Sequence, residues 1–153
     1  MRVALRPANA AEADTLSQLA LRSKSHWGYD KHFLDACRAD LTLSPDEIVA
    51  RRAVVAEIAG QVVGFYTLDG EPPEGEIGNL WVEPTRMRHG IGRLLWHRAV
   101  TAGREIGFRS LLIDADPHAE GFYLAMGAVR VGDSPSSAMP GRLLPRLRAV
   151  VSA

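Results

Sequence analysis

The chain has 153 residues, 46% of them apolar and 24% charged, enough for a well-filled core, and a single domain over residues 1–153 is expected. Its 18 lysines and arginines balance its 18 aspartates and glutamates, so no overall field draws it to nucleic acid. One cysteine, Cys37, allows no internal disulfide and fits a reduced, cytoplasmic setting. No apolar run nears the roughly twenty residues of a bilayer span, and Arg6-Pro7 precedes any stretch long enough for a signal peptide, so a soluble protein with no membrane partner is expected.

In chain order, residues 2–6 alternate as a short strand closed by Pro7. Asn9 then caps a helix with Leu16, Leu19 and Ala20 on one face. Residues 25–30 break it with a loop that sets Trp27 and Tyr29 around Gly28. Aromatics so placed either cover the core or wall a pocket. A second helical pattern follows through Phe33, Leu34, Cys37 and Leu41, and Ser44-Pro45-Asp46-Glu47 opens a short turn or helix. Residues 53–58 and 61–68 read as a hairpin joined at Ala59-Gly60, and residues 71–75 as a second turn. A strand over residues 77–82 stops at Glu83-Pro84. Beyond it stand Arg86, Arg88 and His89, then Gly90-Ile91-Gly92 and a helix whose Ile91, Leu94, Leu95, Ala99, Ala102 and Ile106 share one face. Residues 110–114 form a short apolar strand of the buried type. Asp116 reads as an N-cap with Pro117 after it and Gly127 past the helix end. The tail gives a strand over 129–132, a long loop over 133–141, and a last edge strand over 143–151 that tolerates Pro145.

Strand, basic glycine loop and helix start in succession make an anion site, because the free N–H groups of a first helical turn point outward and the dipole favours negative charge. The charge distribution agrees: Asp69, Glu71, Glu74 and Glu76 precede the loop, while Arg86, Arg88, Arg93, Arg98 and Arg104 lie in or after it. A pyrophosphate is the natural guest. A P-loop would need Lys-Ser/Thr after its second glycine, which the chain lacks. The dinucleotide fingerprint fails where Leu95 replaces the third glycine and where a proline-containing loop parts Val82 from Gly90. With Asp114 imitating the ribose-binding acid, a nicotinamide-dinucleotide module stays as an alternative. The histidines (His26, His32, His89, His97 and His118) show no HxxxH or HExxH spacing, so no metal is expected.

The run LWVEPTRMRHGIGRLL resembles the acetyl-CoA loop of the GNAT-type N-acetyltransferases, whose core reads Gln/Arg-x-x-Gly-x-Gly/Ala. Gly90 and Gly92 match, and Met87 stands where Gln or Arg is usual. A second stretch, Ala119, Phe122-Tyr123 and Gly127, is similar to the family's Ala-x-x-Phe/Leu-Tyr-x-x-x-Gly, with Asp116 where many members carry asparagine. The resemblance covers roughly residues 54–131 and is of the bacterial small-molecule type. It implies an α/β GNAT fold: a mostly antiparallel twisted sheet of six to seven strands flanked by about four helices on both faces. It also implies direct transfer of the acetyl group of acetyl-CoA, as co-substrate, to a primary amine of a small molecule or peptide.

The cofactor residues implied by the resemblance are Leu80, Trp81, Val82, Met87, Arg88, His89, Gly90, Ile91, Gly92, Arg93, Asp116, Phe122 and Tyr123. In the family a bulge in the preceding strand frees a backbone N–H for the thioester carbonyl; Gly78 and Asn79 are its expected place here. Tyr123 matches the tyrosine near the sulfur, and Glu76 is the candidate base, acting directly or through water. Trp27 and Tyr29 are expected to wall the amine pocket, with residues 134–141 closing it. A homodimer is compatible with this reading, and a non-catalytic acyl-CoA-binding module is its second alternative.

Overall fold

The computed structural model describes residues 2–151; Met1, Ser152 and Ala153 of the expected domain lie outside them. One open sheet has the strand order β1-β2-β3-β4-β5-β7-β6. Its members are β1 Ala4–Pro7, β2 Val54–Ile58, β3 Gln61–Glu71, β4 Glu74–Val82, β5 Ser110–Asp114, β6 Val129–Pro135 and β7 Leu143–Val150. Helices α1 Ala13–Ser25, α2 Lys31–Leu41 and α3 Pro45–Ala50 precede β2, α4 Ile91–Ile106 joins β4 to β5, and α5 Glu120–Ala125 follows β5. Only β4 and β5 run parallel among the paired neighbours. A doubly wound parallel sheet is therefore excluded, and the nicotinamide-dinucleotide alternative with it.

The helices cover the two faces unequally. On one face the apolar stripe of α4 (Ile91, Leu95, Ala99) packs with Tyr123 of α5 against Leu68, Ile77, Leu111, Ile113 and Leu147. On the other face Leu16, Leu19, Phe33 and Ile48 of α1–α3 pack on Val55 and Phe65, with Trp81 against them. Among the described residues, none of β5 or β7 joins that second cluster. Side chains alternate along a strand. Leu111, Ile113 and Leu147 go to the α4 face, so Leu112, Asp114, Arg146 and Arg148 stand on the uncovered one.

Four expectations are corrected. Strand β4 begins at Glu74, because Pro72 and Pro73 occupy a two-residue turn where no ladder N–H is needed. Strand β6 runs on to Pro135, which shortens the loop after it to residues 136–142. Strand β5 is buried on one face rather than two. Strand β7 is interior, and β6 holds the edge. Pro145 is accommodated because its carbonyl accepts from Ala115 N–H, so its missing N–H faces the point where β5 ends.

Candidate functional site

Strands β4 and β5 pair only from Glu74 with Ser110 to Glu76 with Leu112. Beyond that vertex they part, and β4 runs on to Val82 bonded to β3 alone. Glu83 N–H bonds to Val63 on β3. By the two-residue alternation of strand main chains, Leu80 and Val82 then offer their N–H and C=O groups to the gap. An open edge of this kind recruits an extended, amide-bearing guest.

The register between β3 and β4 slips so that Thr67 faces Asn79 while Leu68 faces Ile77, leaving Gly78 as the extra residue of a bulge. Only glycine fits there. A Cβ at Gly78 would run into the Asp69 carboxylate and the Arg51 guanidinium, which form a bidentate pair at 2.8 and 2.9 Å. Buried Asn79 donates to Thr67 Oγ1 (3.0 Å) and accepts from Trp81 Nε1 (2.9 Å), pinning the strand just past the bulge.

At the far end of the gap lie residues 87–93, the expected anion site. Arg88 and Gly90 both have positive φ, 66° and 80°, which turns the chain sharply into α4. Leu94 N–H is bonded to the Gly90 carbonyl, so Ile91, Gly92 and Arg93 precede the first closed turn and keep free amides. Met87 is half-buried, while Arg88, His89 and Arg93 are exposed. Helix α5 lies across the opening: a Cβ at Gly92 would be 3.4 Å from the Phe122 ring and 3.8 Å from Val82. Tyr123 is buried beside it, edge-on to Trp96 at 5.8 Å, and burial pushes its phenol pKa up.

Glu76 sits at the vertex on the face opposite α4. Its carboxylate forms no hydrogen bond or ion pair among the described residues. Its pKa is raised by burial, then by Asp114 and Asp69, whose own charges are taken by Arg146 and Arg51.

The expected acceptor-side residues meet at the end of β5. Lys24 Nζ lies 2.6 Å from Asp116 Oδ2, with only 9% and 6% of the two side chains exposed. Tyr29 Oη donates to Asp116 at 2.9 Å, the His118 N–H donates to it at 2.8 Å, and Arg142 Nη2 donates to Tyr29 Oη at 3.0 Å. Trp27 stacks on His118 with centroids 4.9 Å apart. Residues 136–142 reach across from the sheet, since Ser137 bonds Asp40 of α2 and Met139 joins the cluster beneath α1–α3.

Leu80, Val82, the loop through Arg93 and Phe122 thus border one gap, Tyr123 is buried in the core beside Phe122, and Trp27 and Tyr29 gather on the opposite face. Two expected cofactor residues point elsewhere. The Trp81 side chain packs beneath α1–α3, and the Asp116 carboxylate turns to α1 and Tyr29. Sequence reading overlooked Lys24 and Arg142. Lys24 did leave a signal: with Leu16 and Ala20 it continues the apolar stripe of α1 at four-residue spacing, where a charge is out of place. A separate cavity of about 310 Å³ beside Arg22, Gln61, Glu83 and Thr85 includes none of these groups.

The family model described as Acetyltransferase (GNAT) family matches residues 14–128. The chain belongs to the GNAT acetyltransferase family. Its fold is shared with solved structures of low identity. The PaiA N-acetyltransferase of Thermoplasma acidophilum in complex with coenzyme A has a TM-score of 0.81 at 17% identity, over 98% of this chain and 99% of that one. The ribosomal-protein-S18-alanine N-acetyltransferase of Escherichia coli gives 0.73 at 12%, over 99% and 96%. An aminoglycoside 6'-N-acetyltransferase complexed with coenzyme A gives 0.70 at 19%, over 99% and 97%. No curated protein matches the chain. Among the described residues no helix is long and apolar enough to cross a membrane.

Proposed function

We propose that this GNAT protein transfers the acetyl group of acetyl-CoA directly to a primary amine of a small molecule or peptide. One observation carries the reading: the parted β4 and β5 strands present an unpaired main-chain edge that leads to three free amides at the start of α4. Those amides suit a pyrophosphate, and Leu80 and Val82 suit the amide-bearing arm behind it. Gly78, the extra residue of the bulge and on the same side of the strand as Leu80 and Val82, supplies the main-chain N–H for the carbonyl oxygen that gains charge when the amine attacks.

Glu76 takes the proton of the incoming ammonium, directly or through one water. The new C–N bond forms as the C–S bond breaks. Burial keeps the Tyr123 phenol protonated, so it meets the leaving sulfur as a donor and is re-protonated from solvent after turnover. A thiol-release assay with acetyl-CoA over a broad amine panel tests the reading, with the acetylated product weighed by mass spectrometry. A protein that binds CoA yet releases no thiol with any amine would instead be a binding module.

Tyr123→Phe retains the ring contacts with Trp96 and Phe122. Turnover is expected to fall about 10²-fold with CoA affinity near that of the parent. Full activity in the folded variant would make Tyr123 a packing residue only.

Gly90→Val places a β-branched residue at φ 80°; a Cβ there meets nothing within 4 Å, so the substitution acts by forcing the loop's main chain out of its left-handed turn. CoA affinity by calorimetry is expected to drop at least about tenfold. An unchanged affinity in the folded variant would move the pyrophosphate away from this loop.

A further inference from the structure

The uncovered face of the sheet carries an almost complete set of charge pairs. Arg51 holds Asp69 at 2.8 Å, Arg146 holds Asp114 at 2.8 Å, and Arg148 holds Glu74 at 2.9 Å. Two groups are left over. Glu76 has no cation within ion-pair distance among the described residues. Arg142 reaches the Asp116 carboxylate only at 4.0 Å, and Lys24 already holds that carboxylate at 2.6 Å. The Arg142 side chain is 21% exposed, and its guanidinium lies over the Phe33 ring at 4.6 Å and the Tyr29 ring at 5.4 Å. Among the described residues one hydrogen bond is assigned to that guanidinium, the bond to Tyr29 Oη. A half-buried fork with donors to spare, beside a buried lysine–aspartate pair that already balances its own charge, is suited to a carboxylate or phosphate oxygen pair.

Resting on the transferase reading above, we propose that the acceptor is an amine with a distant anionic group, and that Arg142 is the residue that selects it. The amine goes to Glu76 and the anion to Arg142. Glu76 is level with Leu112, four residues before Asp116 on the same run of chain, and Arg142 lies 4.0 Å from the Asp116 carboxylate, so the two ends lie roughly 13 Å apart at about 3.3 Å per residue. That separation is too long for an α-amino acid. It suits a linear amino acid of middling length or a short peptide whose acidic group lies two or three residues from its N-terminus.

The probes are linear amino acids from glycine to aminoundecanoic acid, each beside its neutral methyl amide, with affinities measured by calorimetry on the CoA-saturated protein. The parent should prefer acid over amide by about tenfold or more near aminooctanoic acid, and show no preference at glycine. In Arg142→Gln the ratio should fall to near one. In Arg142→Glu it should invert, so that a diamine of the same length outbinds the acid. Equal affinities of every acid and its amide for the parent, or a preference that survives Arg142→Gln, would overturn the proposal; the parent series needs no variant to fold. Thiol release with the same compounds separates the two readings. Discrimination in binding without thiol release removes the transferase step and keeps the anion site. Thiol release that ignores the anionic group does the reverse.

Discussion

Glu76→Gln is expected to lower kcat/KM by about 10²–10⁴-fold and, at the same time, to make the protein more stable at neutral pH. Both effects come from one placement. Glu76 is the last residue of β4 paired to β5, half-buried and without a cation of its own. Burial and the neighbouring Asp114 and Asp69 hold its pKa above the ordinary value. The folded protein therefore binds more protons than the unfolded chain between the ordinary glutamate pKa and the raised one. Stability falls as pH rises through that window, and at neutral pH the native state carries the cost of an ionised, poorly solvated carboxylate. Glutamine carries no such cost. The same raised pKa makes the carboxylate a better proton acceptor once ionised, so kcat/KM of the parent should climb with pH through the Glu76 pKa. Melting curves at acid and neutral pH should show the variant gaining on the parent as pH rises, and its pH–rate profile should lack the Glu76 limb. A variant that retains the limb would place the base elsewhere.

The glycine loop and the helix after it were legible because their signals are local. Gly90 occupies a left-handed turn that only its immediate neighbours define, and the stripe of Ile91, Leu95 and Ala99 fixes which side of α4 faces the sheet. The bulge was expected at Gly78 or Asn79 and lies at Gly78, but its consequence for Trp81 was not foreseen. Without an extra residue, Glu76, Gly78, Leu80 and Val82 would share one face. With it, Glu76 shares a face with Asn79 and Trp81, while Leu80 and Val82 turn to α4. The interior position of β7 was likewise hidden. Pro145 suggests an edge by local rule, and only the end of β5 opposite it, some thirty residues back in the chain, makes the interior place tolerable. The cluster around Asp116 was the least legible part, since Lys24 and Asp116 are 92 residues apart and no spacing pattern reports their contact.

That contact sets the largest expected change in stability. Asp116→Ala should destabilise the protein by about 3–5 kcal/mol, because it leaves the Lys24 ammonium buried with no counter-charge. It also strips Tyr29 Oη and the His118 N–H of their acceptor and removes the anion between Lys24 and Arg142. In the parent, burial works to raise the Asp116 pKa, but Lys24, the His118 amide and Tyr29 outweigh it and bring the value below the ordinary one. The stabilisation is therefore present above the unfolded aspartate pKa and is lost as pH falls through the folded one. Asp116→Asn retains the shape and an acceptor for His118 while still stranding Lys24, so it should lose less than the alanine variant. Adding Lys24→Met to Asp116→Asn removes both charges and should recover most of the loss, since a buried ion pair replaced by apolar volume is close to neutral. Urea melts of the three variants decide the matter. A loss in Asp116→Ala below about 1 kcal/mol would show that water reaches and screens the pair, and a double variant no better than Asp116→Asn would show that the ammonium was never the group left stranded.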